Sequence, residues 1–168
     1  FSCEAAVCTD LASKIAGEAF IYSYAECYGL PYLVFRFSNV YGRYDNDIKR
    51  MERVLPLFMS KIARDEPIVV FGKEKVFDFT YVDDAVDAFL LAGSRPEAVG
   101  RLFNVGGTPP VSLRELARMM VEINGGGNFV VRQFPEDRRK IDIGDFYADD
   151  TLLRETLGWD HSTTLASA

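Results

Sequence analysis

Leu33-Val34-Phe35-Arg36-Phe37-Ser38-Asn39-Val40-Tyr41-Gly42 is the stretch whose reading decides the fold. Its first five residues are apolar but for Arg36 and rich in aromatic and branched side chains, as in a buried strand. Upstream, Thr9 is placed to cap a helix over 10–28, which Gly29 and Pro31 would end. A helix delivered into a buried strand by a short turn points to alternating layers, and the alternation continues downstream. Met51 to Arg64 is predicted helical, with Val54, Leu57, Phe58 and Ile62 on one face. Pro67 to Gly72 reads as a short strand, Asp78 to Val82 as extended, and Asp83 to Ala92 as helical, with Asp83 and Asp84 offsetting the helix dipole. Leu102 to Val105 is a further strand, stopped by Gly106-Gly107. Ser112 and Glu115 have the spacing of a capping box, opening a helix to Asn124. Phe129 to Val131 is a strand, and Thr151 to Leu157 a last helix stopped by Gly158, while Asn39 to Lys49 reads as a polar loop. Strands alternating with helices predict an α/β fold with a largely parallel sheet, in one domain over residues 1–168.

Composition narrows the function classes. Of 168 residues, 48% are apolar and 26% charged, which excludes a disordered chain, a collagen-like repeat and a coiled coil. The net charge of −6 and the lack of a Lys/Arg cluster argue against a nucleic-acid partner. No uninterrupted apolar run of about 18 residues appears, so no transmembrane helix is expected. The opening Phe1-Ser2-Cys3-Glu4 lacks the marks of a signal peptide, and Cys3, Cys8 and Cys27 without a C-x-x-C fit reduced thiols in a cytoplasm. There is no G-x-S-x-G elbow, and the single His161, read as a solvated surface residue, cannot supply a histidine triad or a multi-histidine metal site. Gly125-Gly126-Gly127 follows a helix rather than a strand and reads as a loop.

What remains is a series of short motifs. Ser13-Lys14-Ile15-Ala16-Gly17-Glu18 stands in the first helix, and Tyr28-Gly29-Leu30-Pro31 leads to Arg36-Phe37-Ser38-Asn39-Val40-Tyr41-Gly42. Val54-Leu55-Pro56-Leu57-Phe58 precedes Pro67-Ile68-Val69-Val70-Phe71-Gly72, followed by Asp78-Phe79-Thr80-Tyr81-Val82-Asp83-Asp84. Phe103-Asn104-Val105-Gly106-Gly107, Tyr147-Ala148-Asp149 and Leu157-Gly158-Trp159 complete the order. Over residues 10–160 this order resembles the C-terminal half of the extended short-chain dehydrogenase/reductase family. Within it, the similarity is to nucleotide-sugar epimerases and dehydratases such as the UDP-glucose and UDP-glucuronate 4-epimerases. The resemblance implies a truncated Rossmann-like parallel sheet joined to a small α/β substrate-binding part.

It also implies roles, and here the chain departs from the family pattern. Relatives resemble one another in a Tyr-x-x-x-Lys pair on this helix. Lys14 matches the lysine, but Asp10 stands where the tyrosine should be. A carboxylate with a reference pKa of about 3.9 is a poor replacement for a phenol near about 10 in passing a proton to a sugar hydroxyl. Lys14 is then a catalytic remnant, or a solvated lysine paired with Glu18 one helical turn on. The glycine-rich NAD fingerprint of the family would lie before residue 1, and Phe1 to Thr9 does not resemble the family strand expected there. The expectation is therefore no cofactor for this chain alone, with NAD used in the intact family, and no turnover without a separate dinucleotide-binding chain.

For substrate, the resemblance implies that Asn39 bonds a nucleotide sugar, that Arg53, Val54 and Phe71 surround the base, that Asn104 touches substrate, and that Arg138 clamps the diphosphate with its planar fork. Local readings stand beside these: Asn39 as a turn cap, Val54 and Phe71 as core or groove wall, and Asn104 as part of the Asn-Val-Gly-Gly turn. Phe77 occupies a position where many relatives carry a second diphosphate-binding arginine. A structural or interaction module that has lost its ligand is the competing reading. Leu11, Ile15, Phe20, Ile21, Tyr22 and Tyr24 cover more than half of the first helix, so a homodimer through that helix is expected.

Overall fold

The computed structural model describes residues 9–43, 45, 53–72, 75–107, 109–135 and 144–167. Helix α1 (Thr9–Tyr28) is followed by β1 (Leu33–Phe37), β2 (Asn39–Tyr41), α2 (Val54–Ala63) and β3 (Ile68–Phe71). Then come β4 (Val76–Phe77), β5 (Phe79–Tyr81), α3 (Val82–Gly93), a 3-10 turn at Pro96–Ala98, and β6 (Arg101–Val105). Strand β7 (Val111–Ser112), helix α4 (Leu113–Asn124), strand β8 (Phe129–Arg132) and helix α5 (Thr151–Leu157) close the order. Among the described residues three strand pairings are parallel, β1 with β6, β2 with β5 and β3 with β8, and one, β4 with β7, is antiparallel. This is the expected α/β fold with parallel strands.

The elements form for the reasons legible in their residues. Ser112 opens α4 with a complete capping box: its Oγ accepts from Glu115 N–H at 3.1 Å, and Glu115 Oε2 accepts from Ser112 N–H at 3.0 Å. Gly125 ends that helix in the left-handed region at φ 69°, where a side chain would be strained. Val34 on β1 and Phe103 and Val105 on β6 are buried, as a strand covered on its faces requires.

Two apolar clusters make the core. One joins Ala88 and Ala92 of α3, Phe103 and Val105 of β6, Leu153 and Leu157 of α5, and Trp159. The other joins Leu55 and Phe58 of α2, Ile68 and Val70 of β3, Phe79 of β5, and Leu116 and Ala117 of α4. Where β1 gives way to β2 at Ser38, and β4 to β5 at Asp78, side chains can reach a cleft beside the second cluster.

Three local expectations are corrected. The polar loop expected from Asn39 begins instead with β2, because Asn39, Val40 and Tyr41 pair in register with Phe79, Thr80 and Tyr81. His161 is half-buried rather than solvated, its Nδ1 at 2.7 Å from Arg154 Nη2. Asp84 does more than face a helix dipole. It is buried, Oδ1 accepts from Ser162 N–H and Oγ, and Oδ2 accepts from Thr163 N–H, so it fastens the segment after α5 to the start of α3.

Candidate functional site

The turn from β1 into β2 brings polar side chains to a cleft of ≈ 350 Å³. Its rim holds Ser38, Asn39, Asp45 and Arg53, and its walls Tyr41, Val54, Pro56, Phe77, Phe79 and Leu113. Three of the residues expected to meet substrate, Asn39, Arg53 and Val54, are thus brought together from two elements. Asn39 Nδ2 donates to the Asp78 carbonyl at 3.0 Å, which is a bond across to the neighbouring strands and not a turn cap. Arg53, the residue preceding α2, donates from Nη1 to Asp45 Oδ2 at 3.1 Å and to the Val40 carbonyl at 3.5 Å. Val54 is half-buried in the first turn of α2, where it packs against the second core cluster.

The other expected residues lie elsewhere. Phe71 ends β3 and does not line the cleft. Asn104, on β6, donates from Nδ2 to the Asp149 carbonyl at 3.2 Å and ties the strand to the segment before α5. Lys14 is exposed on α1, four positions after Asp10 in the same helix. Its expected partner Glu18 is taken by Arg36, whose Nε and Nη2 donate to the two carboxylate oxygens at 2.7 and 2.6 Å. That fork holds the Glu18 carboxyl below its ordinary range through the hydrogen bond first and the charge of Arg36 second. Arg138 lies outside the described residues.

Two polar groups that sequence reading passed over sit just beneath the cleft. The Tyr41 hydroxyl is buried with no hydrogen-bond partner among the described residues. Burial above all, then the charges of Asp84 and Tyr81, push its phenol up to about 12. It therefore stays protonated at neutral pH and is no replacement for the missing tyrosine as a proton acceptor. Asp78 is buried behind Phe77 and Phe79; its Oδ2 accepts from Ala148 N–H at 3.0 Å, and Oδ1 has no hydrogen-bond partner among the described residues. Burial pushes this carboxyl up despite that bond. The motifs Arg36 to Gly42 and Asp78 to Asp84 were the available signals for these groups, but only packing shows that both are interior.

The described residues do not fit the pyrophosphate of NAD. Gly106 and Gly107 follow β6, but the next elements are β7 and then α4, not a helix N-terminus directly after the strand. A Cβ on Gly107 would lie 2.0 Å from the Phe79 carbonyl oxygen, so this glycine serves close backbone packing within the protein. Among the described residues, no three His, Cys, Asp or Glu side chains are grouped to hold a metal, and no helix is long and apolar enough to cross a membrane.

Comparison with known proteins agrees with this architecture. The profile of the "NAD dependent epimerase/dehydratase family" matches residues 11–106. A UDP-glucose 4-epimerase of Mycolicibacterium smegmatis is 32% identical over 156 residues, covering 92% of this chain and 48% of the relative. The UDP-D-apiose/UDP-D-xylose synthase 1 of Arabidopsis thaliana is 30% identical, with 88% of this chain and 43% of the relative covered. Among solved structures, a UDP-glucose 4-epimerase of Thermotoga maritima with UDP-glucose superposes with a TM-score of 0.80 at 31% identity, over 93% of this chain and 49% of that one. The chain spans about half the length of the curated relatives it matches.

Proposed function

Because this chain belongs to the NAD dependent epimerase/dehydratase family, we propose that it holds a nucleoside diphosphate sugar weakly in the cleft beside Asn39 and does not by itself turn that sugar over. The observation that carries the proposal is the gathering of Asn39, Arg53 and Val54 around one ≈ 350 Å³ cleft. Two neighbouring lines support it: relatives named for UDP-sugar chemistry, and a structural neighbour with UDP-glucose bound. Asn39 would orient the ligand at the rim, and the walls would exclude water from its ring-bearing end. The absence of turnover follows from Asp10, which is mismatched to the proton transfer, and from the poor fit of the described glycines to NAD.

A calorimetric or thermal-shift panel of UDP-, dTDP-, GDP- and CDP-sugars, with NAD alongside, tests the reading. At least one nucleotide sugar should bind at high-micromolar to millimolar concentration, about −4 to −6 kcal/mol, and more tightly than NAD. NAD binding more tightly than every nucleotide sugar, or no binding at all, refutes it.

The same chain is proposed to self-associate through α1. Phe20, Tyr24 and Tyr28 are 66%, 57% and 69% exposed on that helix. A two-fold axis lets such a face cover its own copy. A ligand-free interaction module is the competing reading, and the binding panel separates the two.

A further inference from the structure

Strand β1 has one edge turned to β6 and one turned away. Gly100 N–H donates to the Tyr32 carbonyl at 2.7 Å, and Ser38 N–H donates to the Val105 carbonyl at 3.1 Å. The even-numbered residues of this stretch therefore turn their backbone groups towards β6. Backbone groups alternate sides along a strand, which sends those of Leu33, Phe35 and Phe37 to the opposite edge. Among the described residues β1 pairs with β6 alone.

Both faces beside that edge are open to solvent. On one face, the Phe89 ring of α3 meets Phe35 at 4.9 Å and Phe37 at 5.2 Å between centroids, yet Phe89 is 52% exposed. Leu90 next to it is 68% exposed. Arg36 points to the other face, where its fork to Glu18 holds α1 with Phe20 and Tyr24 exposed. A strand edge flanked above and below by uncovered apolar side chains is a template for a further strand.

The side chains of β1 match their own copy. About a two-fold axis normal to the sheet at Phe35, an antiparallel second copy sets Phe35 against Phe35, Leu33 against Phe37 and Val34 against Arg36. Leu33, Phe35 and Phe37 are the residues whose N–H and C=O face the edge, so each of their pairs can exchange both hydrogen bonds. No like charges are opposed along the strand, since Arg36 falls opposite Val34 and its guanidinium is held by Glu18.

We infer that this edge takes a second copy of the chain, paired antiparallel through Leu33, Phe35 and Phe37 into a sheet that runs β6-β1-β1-β6 across both copies. The inference rests on the self-association proposed for α1 and names the surface that builds it. The same axis sets the two α1 helices side by side on one face of the sheet and the two α3 helices on the other.

Amide hydrogen exchange followed by NMR, at concentrations on both sides of the dimer transition measured by sedimentation, provides the test. The Val34 and Arg36 amides, turned to β6, should exchange slowly at every concentration. Those of Leu33, Phe35 and Phe37 should slow at least about tenfold as dimer forms. Leu33→Pro removes an edge N–H at the first residue of the strand and none that β6 accepts, so it should weaken self-association at least about tenfold. If that variant does not fold, the wild-type exchange pattern decides alone. A dimer in which the three edge amides exchange as fast as in the monomer overturns the inference and leaves association through α1 standing. Slow exchange of those amides in the monomer also overturns it, because the chain then covers its own edge. A monomer throughout removes both.

Discussion

Asp78 sits between two short strands with one carboxylate oxygen tied to Ala148 N–H and the other buried without a partner among the described residues. A buried carboxyl raised above its ordinary 3.8 holds its proton in the folded state at a pH where the unfolded chain has released it. Its contribution is therefore fully favourable below 3.8 and is lost as pH rises through the raised value. Asp78→Asn keeps an acceptor for Ala148 N–H and carries no charge to bury. Measured by urea unfolding, wild type should gain stability relative to this variant as pH falls from neutral towards 3.8. A gap independent of pH would show that Asp78 has an ordinary carboxyl. Such a role was not legible from the chain, because Asp78 and Asp84 belong to one motif yet serve differently. Asp84 collects Ser162 and Thr163 donors from the far end of the chain, whereas Asp78 takes the Ala148 N–H on one oxygen while the other has no partner among the described residues. The same holds for Asn104, whose amide meets the Asp149 carbonyl 45 residues away.

Among the elements, α1 is the least enclosed. The Glu18–Arg36 fork and an edge-to-face contact of Tyr22 with Tyr32, centroids 5.5 Å apart, link it to β1 and the turn before it. Ile15, Phe20, Ile21, Tyr22, Tyr24 and Tyr28 are all exposed on it. Leaving a large apolar side chain in water forfeits about 1.5–3 kcal/mol relative to burial, so a helix with several has reason to find a partner. Sedimentation at tens of micromolar should show a dimer, and Phe20→Glu should dissociate it, since an unpaired carboxylate at an apolar contact costs several kcal/mol. A monomer in the wild type, or a dimer untouched by the change, places α1 outside any interface. The helix itself was legible, as were β1, β3, α4 and α5, because each has a clear period or a capping signal. β4 and β7, two residues each, were not, since so short a pairing has no period and exists only because the partner strand is there.

At the scale of the molecule, the proposal of a binding site without turnover is tested by activity itself. Supplied with NAD and UDP- or dTDP-hexoses, the chain should form no epimerised or dehydrated product above the rate without protein. Asp10→Tyr should not restore turnover, because it supplies the proton carrier while the described glycines still do not fit the pyrophosphate of NAD. Product from either protein, followed chromatographically, refutes this. Periodicity, caps and motif order were sufficient for the α/β class, the parallel pairing and the family, because those signals are local and survive when read along the chain. Asn39, Arg53 and Val54 were assigned together by resemblance, and folding brings them to one cleft. Phe71, assigned with them, ends a strand away from it. That the Arg53 charge is spent on Asp45, that Phe77 faces the cleft while Asp78 turns inward, and that Gly107 is pressed on the Phe79 carbonyl were decided by tertiary structure alone. Each depends on which distant backbone lies within a few ångströms, and spacing along the chain carries no such distance.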